Sequence, residues 1–328
     1  MRSTTGGIAH MAAVIEQDLL DRDTGLLKPH IKGLADLAAS MLACRSVNTS
    51  ELLSVLPRQT QEADSRYRYI HRWLKNPLID PITAMGGFIP AIASLAGRHG
   101  KTIVLPLDQS KISDGCECLM VSLRVGERAI PVAWKVKETS GGIGFEEQKP
   151  LLEAVFAMMP PEISVLLIGD RFYGTAALIR WCQEHGWHYR LRLRENLILR
   201  HEGGEITTGE AAEAGLPSLR NAELNDSGVK THIGILHEEG HKEPWIMAMS
   251  EPPTKGRVLD YGMRWGIEPM FSDFKSRGFG ITKTQLQHAD RIERLILVLT
   301  VALYWAASTG MAPPEKPPQH TQKKKPAA

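Results

Sequence analysis

Cysteine is scarce in this sequence. The 328 residues hold four, scattered at Cys44, Cys116, Cys118 and Cys182. That excludes a disulfide-stapled secreted scaffold and predicts reduced thiols in a cytoplasmic protein. Cys116 and Cys118 form a single C-x-C pair, but zinc needs four ligands and no second Cys/His pair stands at a useful spacing. Long apolar runs are missing too. The longest, Leu295 to Ala307, is interrupted by Thr300 and falls short of the roughly 18 residues that suggest a membrane span. A buried terminal helix is expected instead, with no membrane partner. No sustained apolar h-region opens the chain, so no secretory signal is expected, and Met11 is a second candidate start. Net charge is almost absent: 39 Lys and Arg face 37 Asp and Glu, leaving +2. That balance neither demands nor excludes a nucleic-acid partner; the placement of the charges decides. No internal repeat is visible. What remains is 43% hydrophobic and 23% charged, an ordinary globular composition with room for one to three domains.

Apolar positions recur at helical spacing in AAVIEQDLL, IKGLADLAASMLA and SELLSVLP, predicting helices over 12–98 and a helical N-terminal region over 1–98. Within it, Arg58, Arg66, Arg68, Arg72 and Lys75 stand against only Glu62 and Asp64, with Tyr67, Tyr69, His71 and Trp73 interleaved. A basic, aromatic helix of this kind can track a phosphate backbone. It can equally be a solvated face over two buried rings.

The texture changes near residue 101. KTIVLPLD reads as a strand ending at Asp108, followed by the β-rich runs CLMVSLRVG and RAIPVAWKVK. EEQKPLLEAVFAMM is a helix, ISVLLIGD a second buried strand ending at Asp170, TAALIRWCQEHG a helix and HYRLRLR a strand. Buried strands between helices predict a mixed α/β sheet, with an acidic residue at the end of two of them. Residues 196–250, with alternating runs THIGILH and WIMAMS, predict a small β-rich insertion. A long helix is expected from Thr254 through Lys275 and a last one over Ala289–Ala307. The Pro- and Lys-rich segment 311–328 predicts a disordered tail.

The chemistry concentrates in YGMRWGIEPMFSDFK. Tyr261, Arg264, Glu268 and Lys275 are spaced by 3, 4 and 7. At about 100° per residue they fall within an arc of about 60° on one helix face. Tyr, Arg, a carboxylate and Lys make an odd core stripe but suit a face that meets a metal and phosphates. The other faces supply Trp265, Ile267, Met270, Phe271 and Phe274 for packing, and Pro269 is expected to kink the helix beside Glu268.

The spacing Y-x2-R-x3-E-x6-K resembles the signature of bacterial cut-and-paste DDE transposases of the insertion-sequence-four family. Asp108 in IVLPLDQS resembles that family's first Asp, on the first strand of a ribonuclease-H-like core. Asp170 and Arg171 in LLIGDRFYG resemble the second Asp with its following Arg, and 196–250 resembles the insertion before the Glu. The resemblance covers about residues 60–307. It implies a ribonuclease-H-like core over 99–195 and 251–310, split by the 196–250 insertion. It also implies a DNA transposase acting on transposon ends and target DNA, as a homodimer when synapsed on DNA, cytoplasmic and nucleoid-associated. Tyr261, Arg264, Lys275 and Arg171 would bind DNA. Trp245 would stack on a base flipped from the transposon end, and cleavage would pass through a DNA hairpin.

The chemistry is sound apart from the name. Phosphodiester cleavage and strand transfer need an activated nucleophile and a stabilised leaving oxygen, which two divalent ions about 3.5–4 Å apart supply. Mg²⁺ prefers oxygen ligands, with Mn²⁺ as a substitute. Asp108 is expected to bridge two Mg²⁺, with Asp170 and Glu268 holding one each. Blander readings stand beside these. Each Asp can be a turn or helix cap, Glu268 can pair with Arg264 at i,i+4, and Trp245 can fill the insertion's core. Arg66, Arg68 and Arg72 carry the expectation of DNA contact in the N-terminal region. Two further functions stay open: a catalytically inactive DNA-binding relic, and a zinc metalloprotease from His237 and His241 in HEEGH. The protease motif needs a helix, whereas this one follows an alternating run and contains Gly240, a turn pattern. Replacing His237 and His241 by Ala is expected to leave metal-dependent DNA cleavage intact in a gel assay; loss of cleavage would refute the turn reading.

Overall fold

The computed structural model of the chain describes residues 4–59, 62–96, 102–237, 243–275 and 278–311. Six helices come first: α1 (Thr4–Leu20), α2 (Lys28–Cys44), α3 (Thr49–Val55), α4 (Ala63–Lys75), α5 (Pro81–Gly86) and α6 (Ile89–Ala96). Two of these starts follow from side-chain capping. Asn48 accepts the N–H of Ser50 and Asp80 that of Thr83, each satisfying an orphan helical donor. α2 is buried around most of its surface through Ile31, Leu34, Leu37 and Met41. Its buried Asp36 accepts the Tyr69 hydroxyl at 3.1 Å and lies within 3.8 Å of Arg58 and 3.7 Å of Lys32, holding α4 to α2.

Arg66 does not reach the surface as its sequence context suggests. It is 8% exposed, and its guanidinium donates to the carbonyls of Leu53 and Arg58. It closes the α3–α4 connection rather than presenting a cation to DNA. Arg68, Arg72, Lys75 and Tyr67 do project outward from α4.

The sheet follows. β1 (Thr102–Ser113), β2 (Cys116–Val125) and β3 (Arg128–Glu138) form an antiparallel meander; α7 (Phe145–Met158), β4 (Ser164–Gly169), α8 (Ala176–Glu184) and β5 (His188–Arg192) complete the first part. β1, β4 and β5 run parallel to one another. Val165 to Gly169 of β4 are all buried, as a strand covered on both faces must be. Burying each such aliphatic side chain contributes about 1.5–3 kcal/mol. β6 (Ile198–His201), β7 (Gly204–Thr207), α9 (Thr208–Glu213), β8 (Ser218–Leu224), β9 (Lys230–Leu236) and β10 (Trp245–Met249) occupy the segment 196–250 expected to be an insertion. It does not stand apart from the core. β10 pairs antiparallel with β5, giving one ten-stranded sheet in the order β3-β2-β1-β4-β5-β10-β9-β8-β6-β7. The free edge of β5 is thereby paired. This mixed α/β architecture agrees with the expected ribonuclease-H-like fold.

The helix expected over Thr254–Lys275 is not continuous. It divides into α10 (Lys255–Leu259), a 3₁₀ segment over Asp260–Gly266 and α11 (Ile267–Phe274). Pro269 has no N–H to donate to the carbonyl of Trp265, so an unbroken α-helix fails there. The break moves that residue into the first turn of α11, where a missing donor costs little. The β2–β3 hairpin clamps the result: Arg124 donates to the carbonyl of Met263, and Arg128 pairs with Asp273 at 2.6 Å. α12 (Ala289–Met311) packs on β3 and on α2, α4 and α5. Its buried Arg294 donates to the carbonyls of Leu74 and Ile79, tying the N-terminal helices to the core. No helix among the described residues is long and apolar enough to cross a membrane.

One close approach fixes the turn after β4. A Cβ on Gly174 would lie 2.1 Å from the Arg192 carbonyl oxygen, and backbone cannot yield as a side chain can. Gly174→Ala is expected to destabilise the protein by about 1–3 kcal/mol, read as a lower urea midpoint; an unchanged midpoint would refute this packing constraint.

Candidate active site

Parallel pairing runs through Leu107 opposite Gly169 and Gly169 opposite Leu191. One residue further along each strand stand Asp108, Asp170 and Arg192, side by side at the carboxyl ends of the paired segments. Open α/β sheets bind ligands at such ends. Asp108 is not at a strand terminus, contrary to its sequence reading. β1 runs on to Ser113 with β2 as its partner, and Asp108 sits where β4 gives out. Its Oδ1 accepts the N–H of Gln109 at 2.9 Å. Asp170 accepts the N–H of Phe172 on Oδ1 at 2.8 Å, and its carbonyl accepts that of Tyr173. It therefore also shapes the DRFYG turn, so the capping reading and a place in the site coexist.

The bent segment formed by Asp260–Gly266 and α11 crosses these ends. In a 3₁₀ helix residues i and i+3 eclipse, and this stacks Arg264 beneath Tyr261, its guanidinium 6.0 Å from the ring centroid. Arg264 donates from Nη1 to Asp108 Oδ2 and from Nη2 to Glu268 Oε1, both at 2.8 Å. Lys275 Nζ donates to Ser110 Oγ at 2.5 Å. Ser110 lies two residues from Asp108, so both side chains leave the same face of β1. Tyr261, Arg264, Glu268 and Lys275 thus meet the strand ends, through a broken helix rather than a single α-helical face.

Burial raises the Asp108 carboxyl to about 6. Arg264 opposes the rise, while the neighbouring charges of Asp170 and Glu268 add to it. Burial likewise raises the Tyr261 phenol.

The donor set fits a hard cation in kind. Three carboxylates offer only oxygen, and burial, with Asp170 and Glu268 nearby, disfavours the charge on Asp108 even though Arg264 opposes that effect. Position is a separate matter. No three His, Cys, Asp or Glu among the described residues are gathered closely enough to hold a metal. Arg264 stands between Asp108 and Glu268, holding an oxygen of each. A cation taking those same two oxygens would compete with Arg264 for them.

Two tryptophans exchange places relative to expectation. Trp245 is 4% exposed, in a small core cluster with Leu166, Ile168, Val258 and Tyr261. Its ring meets Tyr261 edge-on at 5.2 Å. It starts β10, which buries it in the sheet, so no base can stack on it in this arrangement. Trp265, expected to pack, is instead 45% exposed, 5.6 Å from Trp245. Arg171 is exposed beside Asp170 and pairs with Glu243. Cys116 and Cys118 are free and buried in β2. His237 follows β9, in the link to the antiparallel β10, with Nε2 3.1 Å from the Ala212 carbonyl oxygen. His241 and the rest of HEEGH, like the 312–328 tail, lie outside the described residues. Sequence reading missed Ser110, Arg192 and Trp265. The R-x-R-x-R alternation at Arg190, Arg192 and Arg194 was the available signal for Arg192.

Residues 145–305 match the family described as a transposase DDE domain. The match begins at α7 and spans Asp170, Tyr261, Arg264, Glu268 and Lys275, while Asp108 lies ahead of it. It supports a DDE transposase. No curated protein matches the chain.

The raised Asp108 has a consequence for stability. A carboxyl whose folded pKa is raised contributes stability below its ordinary value, lost as pH rises through the folded value. In EDTA, wild type is expected to lose about 2–3 kcal/mol relative to Asp108→Asn between pH 4 and pH 7. Urea unfolding measures it; a pH-independent difference would refute the assignment.

Proposed function

We propose that the protein is a cut-and-paste DNA transposase of the insertion-sequence-four type. The carrying observation is that Arg264 joins Asp108 to Glu268 and Lys275 reaches Ser110, with Asp170 next to Asp108 at the ends of paired parallel strands, and that 145–305 match a transposase DDE domain. Asp108, Asp170 and Glu268 would hold the divalent ions, Mg²⁺ or Mn²⁺, which supply Lewis-acid activation of the nucleophile and of the leaving oxygen. Asp108 comes from β1, Asp170 from the turn after β4 and Glu268 from α11, so their relative placement depends on the fold. Arg264, once released from the carboxylates, and Lys275 provide charge-assisted bonds to the phosphates of a transposon end. Tyr261 buttresses Arg264 from the buried side.

In this reading the first nick leaves a 3′-OH. That hydroxyl attacks the opposite strand to form a hairpin, water opens the hairpin, and the freed end attacks target DNA. Trp265, not Trp245, is the aromatic surface that a splayed base can meet. Arg68 and Arg72, on the outer face of α4, contact the end duplex in the N-terminal region. Two ends are handled together by a homodimer formed on DNA, at the bacterial nucleoid.

The deciding experiment incubates purified protein with labelled DNA ends flanking the gene, with Mg²⁺, beside Glu268→Gln. Cleavage is expected to fall at least about 100-fold in the variant, with duplex binding retained. Equal cleavage by both proteins would remove Glu268 from the mechanism. Binding without cleavage in both would favour the DNA-binding relic.

A further inference from the structure

Three arginines gather on the far side of Asp170 from Asp108. Arg171 follows Asp170, Arg192 ends β5, and Arg194 comes two residues later. Together they line a cavity of about 340 Å³ with Asn196, Pro244 and Ile246. Arg171 and Arg194 also line an adjoining cavity of about 270 Å³ that reaches Gln148 and Phe172. Three guanidiniums in one cleft repel one another unless an anion joins them.

The structure supplies one such anion. Glu243 accepts from Arg171 and, on the same oxygen, from Arg192 Nη2 at 3.1 Å. Glu195 also lines the cleft, but among the described residues it makes no ion pair with these arginines. Arg194 has no side-chain partner among the described residues. The Glu243 side chain is 51% exposed, and an ion pair so open to water is weakly held. Two planar guanidiniums converging on one oxyanion are the arrangement that recognises phosphate.

We infer that the Arg171–Arg192–Arg194 cleft is a binding site for a DNA backbone phosphate, and that Glu243 holds the phosphate's place and must be displaced when DNA binds. This rests on the DNA transposase reading. It adds a second anchoring side: Arg264 and Lys275 lie toward Asp108, and this cleft lies beyond Asp170, so a strand crossing the carboxylates meets cations at both flanks. Glu243 then acts as an internal competitor. DNA that reaches only one flank does not outcompete it, whereas a fully seated duplex does.

A double-mutant cycle tests this, with binding of a fluorescein-labelled transposon-end duplex followed by anisotropy over a salt series in EDTA. Glu243→Gln is expected to tighten binding severalfold. Arg192→Gln with Arg194→Gln is expected to weaken it about tenfold and to flatten the salt dependence by about one to two phosphate contacts. In that arginine-depleted background, where only Arg171 still pairs with Glu243, Glu243→Gln should tighten binding much less than in wild type. Arg194→Gln alone, at an exposed residue, repeats the test if the double variant unfolds: it should weaken binding and reduce the effect of Glu243→Gln. Equal tightening by Glu243→Gln with and without the arginines would be a general charge effect and would overturn the inference. So would wild-type affinity in Glu243→Gln. Failure of wild type to bind any duplex would instead overturn the transposase reading, and this site with it.

Discussion

Arg264 donates one hydrogen bond to Asp108 and one to Glu268, and the arrangement of the site depends on that pairing. Carboxylates gathered at strand ends repel, and burial opposes the charge on Asp108 before any neighbour acts. A cation must therefore be delivered to that point by the fold. The 3₁₀ segment delivers it by stacking Arg264 under Tyr261, and Pro269 places the break that lets α11 carry Glu268 alongside. The β2–β3 hairpin holds both through Arg124 and Arg128. The same guanidinium that neutralises the carboxylates competes with the metal chemistry proposed for them, so the site combines charge storage with a demand for exchange.

The insertion is joined to this arrangement more closely than its place in the chain suggests. β10 extends the core sheet from β5, and Trp245 at its start packs edge-on against Tyr261. A small core of Leu166, Ile168, Trp245, Val258 and Tyr261 therefore links β4, the insertion and the signature segment. Arg190, buried in β5, strengthens the link by pairing with Glu251 and Asp260 on either side of α10. The position of Arg264 thus rests on strands from both parts of the sheet.

Much of this was legible in the chain. Buried runs such as ISVLLIGD announce central strands because both faces must be apolar, and the spacing of Tyr261, Arg264, Glu268 and Lys275 singled out Arg264, which meets Asp108, and its partner Glu268. Other features were not legible. Trp245 and Trp265 are equally hydrophobic as letters, and which one is exposed depends on β10 pairing with β5 and on the 3₁₀ turn rotating Trp265 outward. Arg66 sits in a run of basic residues that reads as a single surface, yet its neighbours along the helix point outward while it turns in to two carbonyls.

Composition and local pattern by themselves determined most of the element types, the scatter of four cysteines that are free in the fold, the absence of a long apolar span among the described residues and the acidic and basic side chains that make up the candidate site. Those depend on periodicity, side-chain chemistry and short-range geometry. Only the tertiary structure decided that the insertion joins the core sheet, that Glu243 bridges Arg171 and Arg192, and that Arg264 stands between Asp108 and Glu268. The Glu243 bridges and the Arg264–Asp108 bond join residues separated by 51 to 156 positions, and no local periodicity encodes which distant side chains the folded sheet brings within hydrogen-bonding distance.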